Sequence, residues 1–317
     1  MDAKAIKADM LLVLTACIWG LAFTAQRAGM DYIGPFTYNG LRFLLGGIII
    51  MPLAFFRGKK QAEPAEKTGS GNPVYPVTLG ICLFVAAGFQ QTGIFWTTAG
   101  NSGFLSGIYV VLVPVFGIFL GRRAGSQTFA AATLTLAGLF FVIGGVNLKT
   151  VNKGDALTLI GGVFWSAHVL LIDRFVQKTD AVKLACGQFI VCGILSLAAA
   201  LSDFSGRAGF GMGAELGARD FRFSLLAGAA LPVLYGGAMS VGVGYTLQVV
   251  AQRDAPPAHA AVILCMESVF AALGGMLLLS EKQSRGILLG FALMLAGMLA
   301  TQWDMTAKRR VPGLPAD

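Results

Sequence analysis

The sequence is short of charge, and this shortage excludes most soluble folds. Only 13% of its 317 residues are Asp, Glu, Lys or Arg, whereas an average soluble domain is about a quarter charged. No stretch between its apolar segments is long and polar enough to form a separate soluble domain. The net charge of +8 is explained by basic loops beside those segments, so we expect no nucleic-acid partner.

Residues that usually carry metal or disulfide chemistry are also few. The chain has five cysteines and two histidines. All five cysteines fall inside apolar segments, and an odd set of this kind favours small buried residues over a disulfide framework. No His or Cys stands at ligand spacing from His168, so we expect neither a metal site nor a cofactor.

What the chain has in quantity is apolar length. Apolar residues make up 56% of it, with 42 glycines and a mean hydropathy of +0.71. Small residues let transmembrane helices approach closely, and about 20 residues cross the bilayer core. The sequence therefore predicts an all-α polytopic membrane protein whose ten spans are 9–28, 35–56, 75–97, 101–121, 126–146, 155–174, 181–202, 222–250, 256–279 and 286–304.

Lysine and arginine are distributed unevenly between the two sides of these spans. With the N-terminus inside, 15 of them lie on the inner side and eight on the outer side, and Arg42 lies within a span. Since basic residues concentrate on the cytoplasmic side, we expect both termini, 57–73 and 175–180 to be cytoplasmic. The loop 203–220 is then expected outside.

The two halves of the chain repeat each other. TLAG (135–138) matches MLAG (294–297) at an offset of 159, and each half holds five spans. An odd number of spans inverts the second half, which predicts an inverted-topology repeat with substrate bound between the halves. We assign residues 1–150 and 151–306 to the repeats and 307–317 to a cytoplasmic tail. Matches at an offset of 146 are Asp9 and Asp155, Trp19 and Trp165, Arg42 and Gln188, and Gly47 and Gly193.

Three stretches resemble a known transporter family. IWGLAF (18–23), followed by Pro35 and LRF (41–43), resembles the opening of the drug/metabolite transporter superfamily in its EamA-like branch. FQQTGIFWTTAGNSGFLSGIYVVLVP (89–114) is similar to the family's third and fourth helices, and MESVFAALGGMLLLSEKQS (266–284) to its ninth. The resemblance implies a ten-helix exporter of small metabolites. One departure is that Ser268 follows Glu267 where the family commonly has proline, which puts a kink there in doubt.

Two charged residues inside the spans are candidates for function. Glu267 is the only carboxylate that we place well inside the bilayer core, where it could couple protons, bind a substrate amine or make a packing hydrogen bond. Arg42 could anchor to the outer end of the bundle or contact substrate. Because their side chains lean towards opposite membrane surfaces, we expect no direct pair.

Polar and aromatic side chains complete the predicted cavity or coupling site. Trp19 and Trp165 lie away from the interfacial belts, and could wall a cavity or pack tightly. His168 shares the face of Trp165, whereas His259 is expected at the inner interface. The full set is Trp19, Arg42, Gln91, Ser106, Tyr109, Trp165, His168, Gln188, Tyr245 and Glu267.

The function favoured at this point is secondary or facilitated export of small organic metabolites, such as amino acids or similar amphipathic solutes, by alternating access. A plasma or inner membrane location fits, and the sequence has no Walker motif. One alternative is a rhomboid-like serine protease, because GNSG (100–103) matches GxSG, although ten spans are wrong for that class. Another is a non-transporting membrane sensor. A GxxxG from Gly286 to Gly290 gives weak support for a homodimer.

Overall fold

A computed structural model describes residues 3–60, 72–121, 125–142, 152–204, 226–280 and 286–310. These residues are helical almost throughout, and no strand occurs within the described ranges. Most of the two long loops, 57–73 and 203–220, lies outside these ranges, as does the tail from residue 311.

The first half of the chain contains six helices. They are α1 (Ala3–Gly29), α2 (Pro35–Lys60), α3 (Val74–Ile94), α4 (Ala99–Ser106), α5 (Tyr109–Phe119) and α6 (Ser126–Val142). Helices α4 and α5 are two parts of one span that is interrupted near its middle. This half therefore crosses the membrane five times.

The second half repeats this plan with one more interruption. Its helices are α7 (Lys153–Val176), α8 (Ala181–Phe204), α9 (Leu226–Leu234), a π-helix (Tyr235–Tyr245), α10 (Thr246–Ala251), α11 (Pro257–Leu264), α12 (Glu267–Leu279) and α13 (Ile287–Arg310). Segment α9–π–α10 forms one span, and α11 and α12 form another.

Spanning length supports the predicted count. Eight helical stretches are long and apolar enough to cross a membrane, and two shorter apolar helices, Ser126–Phe141 and Leu288–Gly297, lie where the fifth and tenth spans are predicted. The prediction of an all-α protein with ten transmembrane helices is therefore confirmed. Since so many of its helices are long and apolar enough to span a bilayer, the chain is a multi-pass membrane protein.

Equivalent contacts join the two halves. Helix α2 packs along α8, and the repeat pairs α2 with α8. A methyl group on Gly47 would lie 2.8 Å from the Ile190 Cδ1 atom, and one on Gly193 would lie 2.7 Å from the Leu44 Cγ atom. Because Gly47 matches Gly193 and Leu44 matches Ile190 at the same offset, these are one contact repeated by a pseudo-twofold axis.

The last span of each half also packs on the other. Helix α6 lies against α13, where a methyl group on Gly138 would come within 2.6 Å of the Gly290 carbonyl oxygen. A methyl group on Gly286 would come within 3.2 Å of Phe141. The GxxxG of Gly286 and Gly290 therefore serves packing inside one chain, which removes the support that it gave to a homodimer.

Candidate functional site

A narrow cavity lies between the two halves, where α1, α2, α7 and the interrupted spans meet. Its walls combine large aromatic rings, amides, two serine and two tyrosine hydroxyl groups, a guanidinium and a carboxyl group. It is lined by Trp19, Phe23, Gln26, Arg42, Gln90, Ser106, Tyr109, Trp165, Val169, Ser240, Tyr245, Gln248, Leu264 and Glu267. Seven of the ten predicted residues stand together in this wall, namely Trp19, Arg42, Ser106, Tyr109, Trp165, Tyr245 and Glu267.

Most of the lining comes in equivalent pairs from the two repeats. At an offset of 146, Trp19 matches Trp165 and Phe23 matches Val169. At an offset of 158, the matched lining residues are Gln90 and Gln248, Ser106 and Leu264, and Tyr109 and Glu267. The cavity therefore surrounds the pseudo-twofold axis, as expected for an inverted repeat.

The two interrupted spans have the same backbone geometry at their breaks. After α4, the N–H groups of Ile108 and Val110 bond to carbonyls three residues earlier, at 3.4 and 3.0 Å. After α11, the N–H groups of Met266 and Ser268 do the same, at 3.0 and 3.1 Å. Each residue of the second break lies 158 positions after its counterpart. Each α-helix is thus tightened into one turn of 3₁₀ character.

The break before α12 forms without proline. The Ser268 hydroxyl donates to the Gly103 carbonyl oxygen at 2.9 Å, so a contact with α4 stabilises this turn. The doubt that Ser268 raised about a kink is therefore resolved in favour of one. Pro114 lies inside α5, and the interruption of the fourth span comes before it.

Glu267 lies on the axis, in the first turn of α12. Its Oε1 atom accepts a hydrogen bond from the Tyr109 hydroxyl at 3.2 Å, and only 4% of the residue is exposed. The Cys265 thiol donates to the Gly107 carbonyl oxygen at 3.4 Å. Both bonds join a residue to its own counterpart in the other repeat, so the breaks meet at the centre of the molecule.

Arg42 is held on three sides and open on the fourth. Its Nε atom donates to the Asn39 Oδ1 atom at 3.0 Å, and Asn39 in turn donates to the Ala87 carbonyl oxygen at 3.0 Å. Its guanidinium carbon lies 4.7 Å from the centre of the Phe43 ring and 5.5 Å from that of Tyr38. The Nη2 atom is buried without a hydrogen-bond acceptor. Among the described residues, no carboxylate forms an ion pair with Arg42, which agrees with the expectation that it does not pair with Glu267.

Three rings form the aromatic wall. The Tyr245 ring centre lies 4.4 Å from that of Trp19 and 5.9 Å from that of Trp165, and it also lies 5.9 Å from that of Phe43. Tyr245 ends the π-helix, whose wider turns occur often at functional sites. Its counterpart in the first repeat, 158 residues earlier, is Ala87, so only the second repeat supplies a ring at this position.

Three predicted site residues lie outside the lining. His168 contacts the Trp165 and Tyr245 rings from behind, and its Nε2 atom lies 2.8 Å from the Gln188 Oε1 atom. Both are fully buried, so His168 and Gln188 support the wall. The Gln91 amide nitrogen lies 3.5 Å from the Gln26 carbonyl oxygen, and it is the neighbouring Gln90 that faces the cavity.

Several lining residues were missed by sequence reasoning. Gln26, Gln90 and Gln248 contribute amides, and the Gln90 amide donates to the Ser106 hydroxyl at 2.7 Å. The match of Gln90 with Gln248 at an offset of 158 was a usable signal. The others missed are Phe23, Val169, Ser240 and Leu264.

An equivalent aspartate joins each interrupted span to the other repeat. The His259 Nε2 atom lies 2.7 Å from the Asp9 Oδ1 atom, joining α11 to α1. The Thr97 hydroxyl donates to the Asp155 Oδ1 atom at 2.7 Å, joining the residues before α4 to α7. Only 4% of His259 is exposed. It is therefore a buried contact residue, and its expected depth near the inner interface stays a prediction.

The protease alternative finds no support in the geometry. Ser102, the serine of GNSG, is buried and its hydroxyl has no hydrogen-bond partner. His168 contacts Gln188, and His259 contacts Asp9. A nucleophilic serine needs a base within hydrogen-bond reach, and neither histidine is bonded to Ser102. Within the described ranges, no group of three His, Cys, Asp or Glu residues could hold a metal ion.

Comparison with known proteins points to one family. The profile of the EamA-like transporter family matches residues 6–144 and again 152–302. An uncharacterized transporter of Archaeoglobus fulgidus is 26% identical over 279 residues, covering 88% of this chain and 80% of the relative. The uncharacterized inner membrane transporter YedA of Escherichia coli is 30% identical over 153 residues, 47% of each chain. A crystal structure shares the fold with a TM-score of 0.71 at 18% identity, over 95% of this chain and 98% of that one.

Proposed function

Because the chain belongs to the EamA-like transporter family and is a multi-pass membrane transporter, we propose that it exports small organic metabolites by alternating access. The substrates would be amino acids or similar amphipathic solutes. Transport would be secondary or facilitated, since the sequence has no Walker motif. Residues 1–150 and 151–306 would act as the two moving repeats, followed by a cytoplasmic tail, 307–317.

The observation that carries the substrate class is the pair of opposite charges in one aromatic cavity. Arg42 and Glu267 both line it and are not bonded to each other. Burying an isolated charge is costly unless a partner compensates it. A solute with a carboxylate and an ammonium group would supply both partners at once, while Trp19, Trp165 and Tyr245 would cover its apolar part.

Alternating access is supported by two equivalent contacts, which we take as the two mouths of the cavity. Asp9 contacts His259 at one mouth, and Asp155 contacts Thr97 at the other. Each contact involves the start of an interrupted span, whose inner end lies at the Tyr109–Glu267 bond. A change at that bond could therefore move the first halves of both spans and open one mouth while the other stays closed.

The direction and orientation of transport are part of the proposal. The 15-to-8 distribution of basic residues favours cytoplasmic termini. With that orientation, the Asp9 mouth faces the cytoplasm and the Asp155 mouth faces outside. Export is what the family resemblance implies, and an inner membrane location is proposed because the relative YedA is named an inner membrane transporter.

Purified full-length protein in liposomes tests this function. Saturable flux of labelled amino acids, compared with protein-free liposomes, would support it. Cleavage of a membrane-embedded peptide substrate would favour the protease alternative instead. If solute panels show no flux and peptides stay intact, the chain is better explained as a non-transporting sensor.

A further inference from the structure

The two equivalent tryptophans of the cavity differ in what their indole N–H groups bind. Trp19 donates from its Nε1 atom to the Ser240 carbonyl oxygen at 3.1 Å. Trp165 lies at the equivalent place in α7 and is only 7% exposed, yet its Nε1 atom has no acceptor among the described residues. A buried donor without a partner is costly, so this difference needs a physical cause.

The cause lies in the helix that each tryptophan faces. A methyl group on Gly244 would lie 2.7 Å from the Trp19 Nε1 atom, so this glycine lets the indole approach the backbone. The position equivalent to Gly244, 158 residues earlier, is Ala86. A side chain is thus present where Trp165 would need the same close approach.

Backbone geometry adds to this difference. Ser240 lies within the π-helix, and its carbonyl accepts from Trp19. The counterpart of Ser240 is Cys82, which lies within the continuous helix α3. The regular α-helix at Cys82 thus differs from the widened helix whose carbonyl accepts from Trp19. Trp165 is therefore left without the acceptor that its counterpart has.

Arg42 presents a second donor to the same cavity. Its Nε atom is occupied by Asn39 and its faces by Phe43 and Tyr38, whereas Nη2 has no acceptor. The Tyr245 ring packs against the surroundings of both groups, since its centre is 5.9 Å from the Trp165 ring and 5.9 Å from the Phe43 ring that the guanidinium covers. One guanidinium and one neutral donor of the same cavity lining thus remain without an acceptor.

We propose that Trp165 Nε1 and the free edge of Arg42 form a subsite for the carboxylate of the transported solute, and that Trp19 has no part in it. This rests on the proposed transport function and assigns unequal roles to two residues that the repeat makes equivalent. A single cation with one neutral donor suits a singly charged carboxylate, since planar carboxylates match the guanidinium edge. Among the described residues, the lining includes no Arg or Lys besides Arg42. A phosphate group would favour more than one cation.

Three probes that share an isobutyl group test this subsite. L-leucine carries both charges, isovalerate carries only the carboxylate, and isopentylamine carries only the ammonium group. Their binding to the purified full-length protein would be measured by calorimetry, for wild type, Trp165→Phe and Trp19→Phe. Phenylalanine keeps an aromatic ring and removes only the indole N–H and its bulk.

Trp165→Phe should lose affinity for the two carboxylate probes, relative to the amine, by about tenfold or more, because a hydrogen bond to a charged group is lost. Trp19→Phe should not change that ratio, because its N–H binds the Ser240 carbonyl. Trp19→Phe should instead lower the melting temperature. These opposite readouts separate a substrate contact from a packing role.

Any of three results would overturn the subsite. The first is that wild-type protein binds neither carboxylate probe. The second is that Trp165→Phe leaves the ratio of carboxylate to amine affinity unchanged, and the third is that Trp19→Phe changes this ratio as much as Trp165→Phe does. Flux of another solute in liposomes would leave the transport proposal standing in each case. Conversely, Trp165-dependent binding of isovalerate without any flux would keep the subsite and reject transport.

Discussion

Tyr109 and Glu267 are equivalent residues of two inverted repeats, and they are hydrogen-bonded to each other, from the Tyr109 hydroxyl to the Glu267 Oε1 atom at 3.2 Å. Each is the first helical residue after the break in its span. The pseudo-twofold axis therefore relates a phenol to a carboxyl group. The first repeat thus places a neutral phenol at the centre of the cavity, and the second places an ionisable carboxyl group there.

Glu267→Gln distinguishes the roles that a carboxyl group could have here. The amide oxygen can still accept from Tyr109, so the free energy of unfolding should change by less than about 1 kcal/mol. If Glu267 carries protons, exchange of substrate in liposomes should survive and accumulation driven by a pH gradient should be lost. If Glu267 binds an ammonium group, exchange should be lost as well. Wild-type behaviour in both assays would remove Glu267 from the mechanism.

Cysteine labelling tests the orientation of the repeats. In a cysteine-depleted background, Phe210→Cys should react with a membrane-impermeant maleimide added from outside to intact cells. A cysteine introduced at position 178 should react only after the cells are opened. Labelling of position 210 from the cytoplasm alone would contradict an inverted repeat with cytoplasmic termini.

Cross-linking tests the two mouths. Asp9→Cys with His259→Cys, and separately Thr97→Cys with Asp155→Cys, place a thiol on each side of a contact whose polar atoms now lie 2.7 Å apart, so that a short, reducible, thiol-reactive cross-linker can bridge them. We expect each cross-link to stop flux, because alternating access needs both mouths to open. Reduction should restore it.

The state trapped by each cross-link can be identified by maleimide labelling of a Ser240→Cys variant, because Ser240 lines the cavity. With the Asp9 mouth closed, a polar maleimide should reach position 240 only from the side of Asp155. The other cross-link should reverse this access. Equal access in both trapped states would mean that these contacts do not control the mouths.

The repeated glycine contact between α2 and α8 should limit stability. In Gly193→Ala the new methyl group would lie 2.7 Å from the Leu44 Cγ atom and 3.0 Å from its backbone nitrogen. Overpacking of this kind costs about 1–3 kcal/mol, so the melting temperature should fall. Gly88→Ala is the matched control, because its methyl group would meet only Phe36, at 3.4 Å. Equal melting temperatures for the two variants would contradict the close packing described.

The spans and their duplication could be predicted because both depend on patterns in the sequence itself. Runs of apolar residues identify each span, and the separation of Trp19 from Trp165 identifies the repeat without knowledge of packing. The equivalent positions of the two tryptophans made them predictable as cavity residues. Glu267 was predicted because it is the only carboxylate that the sequence places well inside the bilayer core.

Residues whose place depends on the neighbouring helix could not be assigned in the same way. Gln90 and Gln91 are adjacent and alike, and only the packing of α3 decides that Gln90 faces the cavity. His168 shares a helix face with Trp165, yet it reaches past the wall towards Gln188 on α8. The break at Ser268 depends on a bond to Gly103, which no local pattern records.

The central claim is that amphipathic solutes cross the membrane through the cavity between Trp165, Arg42 and Glu267. The most direct test is the flux of labelled amino acids into liposomes containing wild-type protein or Trp165→Ala, with the melting temperature measured on the same preparations. We predict saturable flux in wild type and a loss of more than about tenfold in Trp165→Ala, much larger than its effect on stability. Absence of saturable flux in wild type, or unchanged flux in a Trp165→Ala protein that has become unstable, would contradict the claim.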